Sequence, residues 1–416
     1  MLENNDILSE ILLRVDPGCI FNYILVSKRW LELITSPYFQ QVYLKRWYIK
    51  GCHLKVIGFL VYNLPYVDNS RPYPSPPAVQ LLPTSKFGRD INRSKFMGHA
   101  GYFIAATSDG FILSGKHPQR YYVCNPITKQ RMQLPQPPVL HMDVAIAILS
   151  CDKEERVFDT QERMKNFEVM YAESNFFDEP DDNTVSIHTF SSLTGQWYTS
   201  TLSCSTPFSL CRGVGTVARG FVYWMARVGC VPYFAAFDTK SINDTGRITL
   251  IMKPWSTMDS WFTSHKELPS YLGVSSEGFL QYAAIHYRGE LCIWVLSDDN
   301  FEGQTDFDAQ GTRWRVCYKI DIFSMMMGNS AVLSACHIEI GRRTPFVFVA
   351  FVPGKSDSVF LRCEEYFFIY QYLSQKLERI HYDLDNYSFP FARQRDRCHG
   401  LYHPFTVSGA WPSSPL

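Results

Sequence analysis

Apolar residues near the start of the chain recur every three or four positions, whereas farther on they alternate with polar ones. Ile7, Leu8, Ile11, Leu12 and Val15 fall on one face of a helix at that spacing. Asn4, Asn5 and Asp6 offer N-cap chemistry just ahead of this face, and Pro17-Gly18 stop it. A second apolar run comes next, with Ile20, Phe21, Ile24, Leu25 and Val26. Ser27-Lys28-Arg29-Trp30 leads into a third amphipathic segment carrying Leu31, Leu33 and Ile34, closed by Ser36-Pro37. The pattern predicts three short helices in about 40 residues, too few to bury a sizeable core alone. Such a unit needs a partner, or it packs as a cap on a neighbouring domain.

Beyond Leu54 the period changes to that of strands. Leu54 to Asn63 reads as the first strand, and the proline-rich Pro65 to Pro83 as an irregular loop. A loose repeat then emerges. One half is a Gly-Phe strand: Gly110-Phe111, Gly220-Phe221 and Gly278-Phe279, with Gly58-Phe59 as a candidate fourth. The other half is an aromatic strand entering a polar turn, as at Asn125-Pro126, Leu193-Thr194-Gly195, Asp238-Thr239-Lys240 and Leu373-Ser374-Gln375. After such turns the chain re-enters aromatic strands, for example at Trp197 and Trp314. Short antiparallel strands repeating on this scale predict a β-propeller; at roughly 40 to 50 residues per blade the segment would hold about six to eight blades. A pair of β-sandwiches is the alternative. If the propeller holds, the three glycines occupy equivalent places, the phenylalanines after them are largely buried, and the polar turns form matching exposed hairpin ends.

The fold class expected is therefore a small all-α unit of three helices followed by a large all-β domain. Residues 1–47 form the helical unit, 48–391 the β domain, and 392–416, with RQRDR and PSSPL, a polar tail.

Composition narrows the function classes. The chain has 416 residues, 46% hydrophobic and 15% aromatic, so a large strand-rich core is available. Its 40 basic and 40 acidic residues cancel, which argues against binding nucleic acid through global charge. Twelve scattered cysteines include no C-x-x-C, so neither zinc spacing nor a secreted disulfide framework is present. No apolar run reaches the roughly 18 residues that span a bilayer, and the acidic start lacks a signal-peptide pattern. The chain reads as intracellular, with no membrane partner.

Catalytic motifs are absent: no H-E-x-x-H, G-x-G-x-x-G, Walker A or G-x-S-x-G occurs. His399 and His403 lie four apart beside Cys398, but Gly400 and Pro404 oppose the helix that would pair them. The acidic run Asp178 to Asp182 and the arginines at 342, 343, 393, 395 and 397 read as solvated surface. No catalytic residue, metal or cofactor is expected.

The helical unit resembles an F-box. Glu3 to Val15 matches the E-N-x-D-[IL]-L-x-E-I-L-L-R-[VL] opening, and Leu25 to Phe39 matches L-V-[SC]-K-R-W-x-x-[LI]-[IV]-x-x-P-x-F, including the Lys28-Arg29-Trp30 triplet. It departs from the pattern in having Leu2-Glu3 where Leu-Pro usually opens the motif, a short Asp16 to Cys19 loop, and Asn22-Tyr23 at positions commonly basic and small. The β region resembles the F-box-associated propeller-like domain of plant F-box proteins. Its best matches are Tyr122 to Gln130, with Leu134-Pro135 after it, and Phe190 to Trp197.

These resemblances imply a substrate-recruiting subunit of an SCF-type ubiquitin ligase. The F-box would bind a Skp-type adaptor and, through it, a cullin; the propeller would hold an unknown target protein. They also imply that Ile7, Leu8, Ile11, Leu12, Pro17, Ile20, Leu25, Val26 and Trp30 either face the adaptor or hold the helices that do. The competing readings are a scaffold with weakened adaptor binding and a kelch-like propeller enzyme, which would need carboxylates or metal ligands gathered at one propeller mouth.

Overall fold

Gly220-Phe221 and Gly278-Phe279 lead into the second strands of two four-stranded sheets, Phe111 begins the second strand of another, and the turns after Ser191 and Gln371 join third strands to fourth. The computed structural model that shows this describes residues 4–15, 20–36, 38–39, 42–43, 55–63, 80–83, 103–108, 111–116, 120–125, 130–138, 144–150, 167–173, 183–211, 213–239, 246–254, 271–285, 289–296, 314–340, 346–352, 355–364, 366–380 and 400–407. Blade 1 is built from Phe103–Ser108, Phe111–Lys116, Arg120–Asn125 and Gln130–Gln133, and blade 2 from Val144–Ser150, Phe167–Glu173, Thr184–Ser191 and Gln196–Ser203. Blade 3 holds Thr216–Ala218, Phe221–Val228, Val231–Asp238 and Ile248–Met252. Blade 4 holds Tyr271–Val274, Leu280–Ile285, Glu290–Leu296 and Trp314–Asp321; blade 5 holds Phe346–Phe351, Ser358–Cys363, Tyr366–Gln371 and Lys376–Arg379. Two short strands supplement them, Gly213–Val214 beside blade 2 and Ser209–Leu210 beside blade 3.

Among the described residues five sheets complete the four-strand meander of a blade, not the six to eight expected. First strands begin at Phe103, Val144, Thr216, Tyr271 and Phe346, and most of these steps exceed the roughly 40 to 50 residues assumed per blade. A smaller three-stranded sheet joins Gln80–Pro83, Lys55–Asn63 and Gly400–Val407. There the first strand of the β region pairs antiparallel with the last, Leu60 opposite His403, and Gly400–Val407 lies against the first strand of blade 5. This strand falls within residues 392–416, so that part of the expected polar tail is instead sheet.

Side chains fill the seams between blades from both neighbours. Leu113, Val123, Ile146, Ile148, Phe167 and Phe190 pack between blades 1 and 2. The same inner strand of blade 2 sends Ala145 and Ala147 the other way, against Trp224 and Phe237 of blade 3, as period-two alternation requires. Phe234, Tyr282, Trp294 and Trp314 fill the seam between blades 3 and 4. Tryptophan N–H groups also cross these seams. Trp197 donates to the Pro135 carbonyl at 2.9 Å, Trp224 to Ile146 at 3.2 Å and Trp314 to Met252 at 2.9 Å. The aromatics that re-enter strands after polar turns are therefore fasteners between blades.

Among the described residues the β domain has two helices, Ile322–Gly328 and Ser330–Ser334, which cover the outer part of the seam between blades 4 and 5. Asp321 caps the first by accepting from the Ser324 N–H at 3.0 Å, and the hydrogen bonds to its carboxylate hold its pKa below the usual range. Asn329 closes the corner, donating to the Gln375 carbonyl at 3.0 Å and accepting from the Leu377 N–H at 2.9 Å.

Gly220 and Gly278 sit at equivalent strand entries with φ of 81° and 86°, a left-handed backbone that suits glycine. Gly110 lies outside the described residues. Phe111 and Phe221 are half-buried, not largely buried as expected, because they stand at blade ends beside solvent. Phe279 is also half-buried, under the Arg219 guanidinium at 3.5 Å. The described turn at 192–195 joins the third and fourth strands of blade 2, as the turn at 372–375 does in blade 5. Leu193 and Leu373 are exposed at these tips.

Gly273 answers a different need. A Cβ there would lie 2.3 Å from Cδ2 of Phe351, whose ring crosses from blade 5 onto the inner strand of blade 4. Gly273→Ala is expected to push that ring aside and cost about 1 to 3 kcal/mol, the usual range for overpacking. Urea unfolding of the purified variant measures this; an unchanged midpoint would contradict the close approach.

Candidate functional site

The N-terminal unit is built on α1 (Asn4–Leu12), a 3-10 turn (Ile20–Leu25) and α2 (Lys28–Thr35). The middle segment is therefore 3-10, not the α-helix expected. Asn4 to Asp6 form the first turn of α1 and do not precede it, and Asp6 there complements the helix dipole. Ser27 starts α2 by accepting from the Trp30 N–H at 3.2 Å, and Ser36 ends it, its hydroxyl donating to the Leu33 carbonyl at 2.8 Å. Glu10 and Arg14 pair across one turn of surface at 3.1 Å, a contact worth about 0.3 to 0.5 kcal/mol.

A small core holds these pieces. Leu12, Leu13, Ile20, Ile34, Phe39 and Tyr43 are buried together. Phe39 and Tyr43 stack at 5.7 Å, and the Tyr43 hydroxyl donates to the Val15 carbonyl at 2.6 Å, tying residues after α2 to the end of α1.

The structure divides the nine expected site residues. Leu12 and Ile20 are buried and act as supports. Leu8 and Trp30 are partly buried against that core, and Trp30 stacks on Tyr23 at 5.6 Å. Ile7 and Ile11, one turn apart on α1, are 52% and 56% exposed, while Leu25 and Val26 at the end of the 3-10 turn are 89% and 58% exposed. Pro17 lies outside the described residues. Eleven large hydrophobic residues are exposed among those described, and five of them fall in this unit, although it is a small fraction of the chain. The fifth is Tyr38, 76% exposed, which sequence reading passed over because it fills the variable slot between Pro37 and Phe39. A folded unit with its own small core that still presents this much apolar surface is suited to docking another protein.

The β domain offers different chemistry. Burial pushes the Cys124 thiol up to about 12 and that of Cys292 up to about 11, so neither is a thiolate at neutral pH. Burial likewise raises the Tyr121 and Tyr372 hydroxyls. No group of three or more His, Cys, Asp or Glu side chains among the described residues could hold a metal ion. No described helix is long and apolar enough to cross a membrane. At one end of the propeller, turns of adjacent blades are linked. Arg219 donates to the Glu277 carbonyl at 3.4 Å, and the Ser276 and Ser356 hydroxyls lie 2.5 Å apart.

Residues 4–41 match the F-box domain, and residues 83–388 match the family described as F-box protein At3g26010-like, beta-propeller. The F-box protein At5g03970 of Arabidopsis thaliana is 32% identical over 388 residues, covering 92% of this chain and 84% of that one. Two solved structures are also similar. A putative 6-phosphogluconolactonase from Bacteroides fragilis is 11% identical over 67% of this chain and 68% of its own, with a TM-score of 0.34. One from Bacteroides uniformis is 13% identical over 63% of this chain and 62% of its own, with a TM-score of 0.29. Likeness this low transfers nothing to this chain. With an F-box at its start and the matching propeller family over most of the remaining length, the chain belongs to the plant F-box proteins that carry an At3g26010-like β-propeller.

Proposed function

We propose that this protein is the substrate-recruiting subunit of an SCF-type ubiquitin ligase. Residues 1–47 dock on a Skp-type adaptor and, through it, a cullin; the propeller holds a target protein. The observation that carries this reading is the exposed apolar set Ile7, Ile11, Leu25 and Val26, displayed on an F-box whose core is complete without them. Leu12 and Ile20 belong to that core, and Leu8 and Trp30 pack against it.

In this reading the protein performs no chemistry itself and acts inside the cell. Holding the target beside the transfer machinery raises its effective concentration, so that ubiquitin transfer becomes effectively intramolecular. The fastened blades suit this role, because a rigid carrier loses less freedom on binding.

Mixing the purified full chain with a Skp-type adaptor and a cullin tests the proposal. A single species containing all three is expected on size-exclusion chromatography. Separate elution at micromolar concentrations would instead favour a scaffold that has lost the adaptor.

A further inference from the structure

One row of residues crosses blade 3 at the end of its strands remote from the linked turns of Arg219 and Glu277. Ser209 stands opposite Arg227, Arg227 stands opposite Pro232, and the Lys253 N–H donates to the Pro232 carbonyl at 3.2 Å. Residues directly opposite one another in antiparallel strands share a face of the sheet. Here that face meets blade 4. Met225, two residues before Arg227, packs into the seam between blades 3 and 4, and alternation puts Arg227 on the same side. The Lys253 ammonium lies 5.3 Å from the centre of the Tyr282 ring, which belongs to blade 4.

The row thus brings a hydroxyl and two cations to the edge of an apolar seam. Ser209 is 1% exposed, and its hydroxyl has no hydrogen-bond partner. A hydroxyl shut away from water in that state is costly, and a ligand oxygen would supply the missing acceptor. Arg227 and Lys253 are half-buried, where water screens charge less than it does on an open surface. On the blade 4 side the charges of Glu290 and Lys319 act on Cys292 in opposite senses. Asp321, opposite Glu290, already accepts from the Ser324 N–H. Among these five charged groups the cations are in excess.

We infer that this row is an oxyanion site. Ser209 and Arg227 donate hydrogen bonds to one carboxylate or phosphate group on the target protein, and Lys253 adds the second positive charge. A guanidinium offers paired donors that match either group. The inference rests on the recruiting role above for the source of the anion, and it gives the propeller a preference for an acidic or phosphorylated target segment.

Calorimetric titration of the full chain with inorganic phosphate, and separately with acetate, tests the site at fixed ionic strength. Saturable uptake of one anion per chain is expected. Arg227→Met and Lys253→Met, which keep an apolar stem, should each weaken it by about tenfold or more, and Ser209→Ala by about threefold or more. Arg219→Met, at the other end of the blade, should leave it unchanged. Phosphate bound about tenfold more tightly than acetate would assign a phosphorylated side chain, and equal binding a carboxylate. No uptake of either anion, or uptake that survives both Arg227→Met and Lys253→Met, would overturn the site. The complex with adaptor and cullin would form regardless, so failure of the site and failure of the recruiting role are read separately.

Discussion

Replacing Leu25 and Ile11 together with aspartate is expected to lower affinity for a Skp-type adaptor by about a hundredfold or more, with the fold left intact. Both side chains are exposed in the free protein, so the charges meet water and stability should change by no more than about 0.5 kcal/mol. On binding, the same charges must be buried against an apolar partner without a counter-charge, which costs several kcal/mol, and each ~1.4 kcal/mol is tenfold in affinity. Leu12→Ala should behave differently. Leu12 is fully buried in the small helical core, so truncation costs about 2 to 5 kcal/mol and reduces binding through loss of the folded unit. Surface-immobilised adaptor gives the affinities, and circular dichroism melting gives the stabilities. A double aspartate variant that binds like the wild type would remove Ile11 and Leu25 from the interface.

Trp224→Ala is expected to have the largest effect on the β domain, about 3 to 5 kcal/mol of stability. The ring is buried between blades 2 and 3, meets Phe237 edge-on at 4.7 Å, and carries the N–H that reaches the Ile146 carbonyl. Truncation would remove the packing and leave that carbonyl without this donor. Trp224→Phe retains much of the packing and should cost less. Guanidinium unfolding followed by far-ultraviolet circular dichroism separates the two variants. Equal midpoints for Trp224→Ala and the wild type would mean that this seam does not hold the blades together.

What could be read from sequence depends on the strength of the local signal. Helix α1 was legible because Ile7, Leu8, Ile11 and Leu12 repeat at helical spacing, but spacing alone does not say which of them face inward. Ile11 and Leu12 are neighbours in sequence, yet one is exposed and the other fully buried. The division depends on tertiary contacts from Ile34, Phe39 and Tyr43. The Gly-Phe repeat was legible where a blade turns tightly into its second strand, as blades 3 and 4 do at Gly220 and Gly278. Blade number was not legible, since the steps between first strands vary and a per-blade length overcounts. The strand Gly400–Val407 was missed because the basic run before it and Pro404 within it both read as loop. Proline is tolerated there because the strand lies at the edge of its sheet.

The central claim is that the F-box surface engages an adaptor, and hydrogen exchange read by mass spectrometry tests it most directly. The full chain would be compared with and without saturating Skp-type adaptor. Peptides containing Ile7, Ile11, Leu25 and Val26 should gain protection, while those from the inner strands of blades 2 and 5 should exchange as before. Unchanged exchange over residues 4–43, with or without protection in the propeller, would contradict the account.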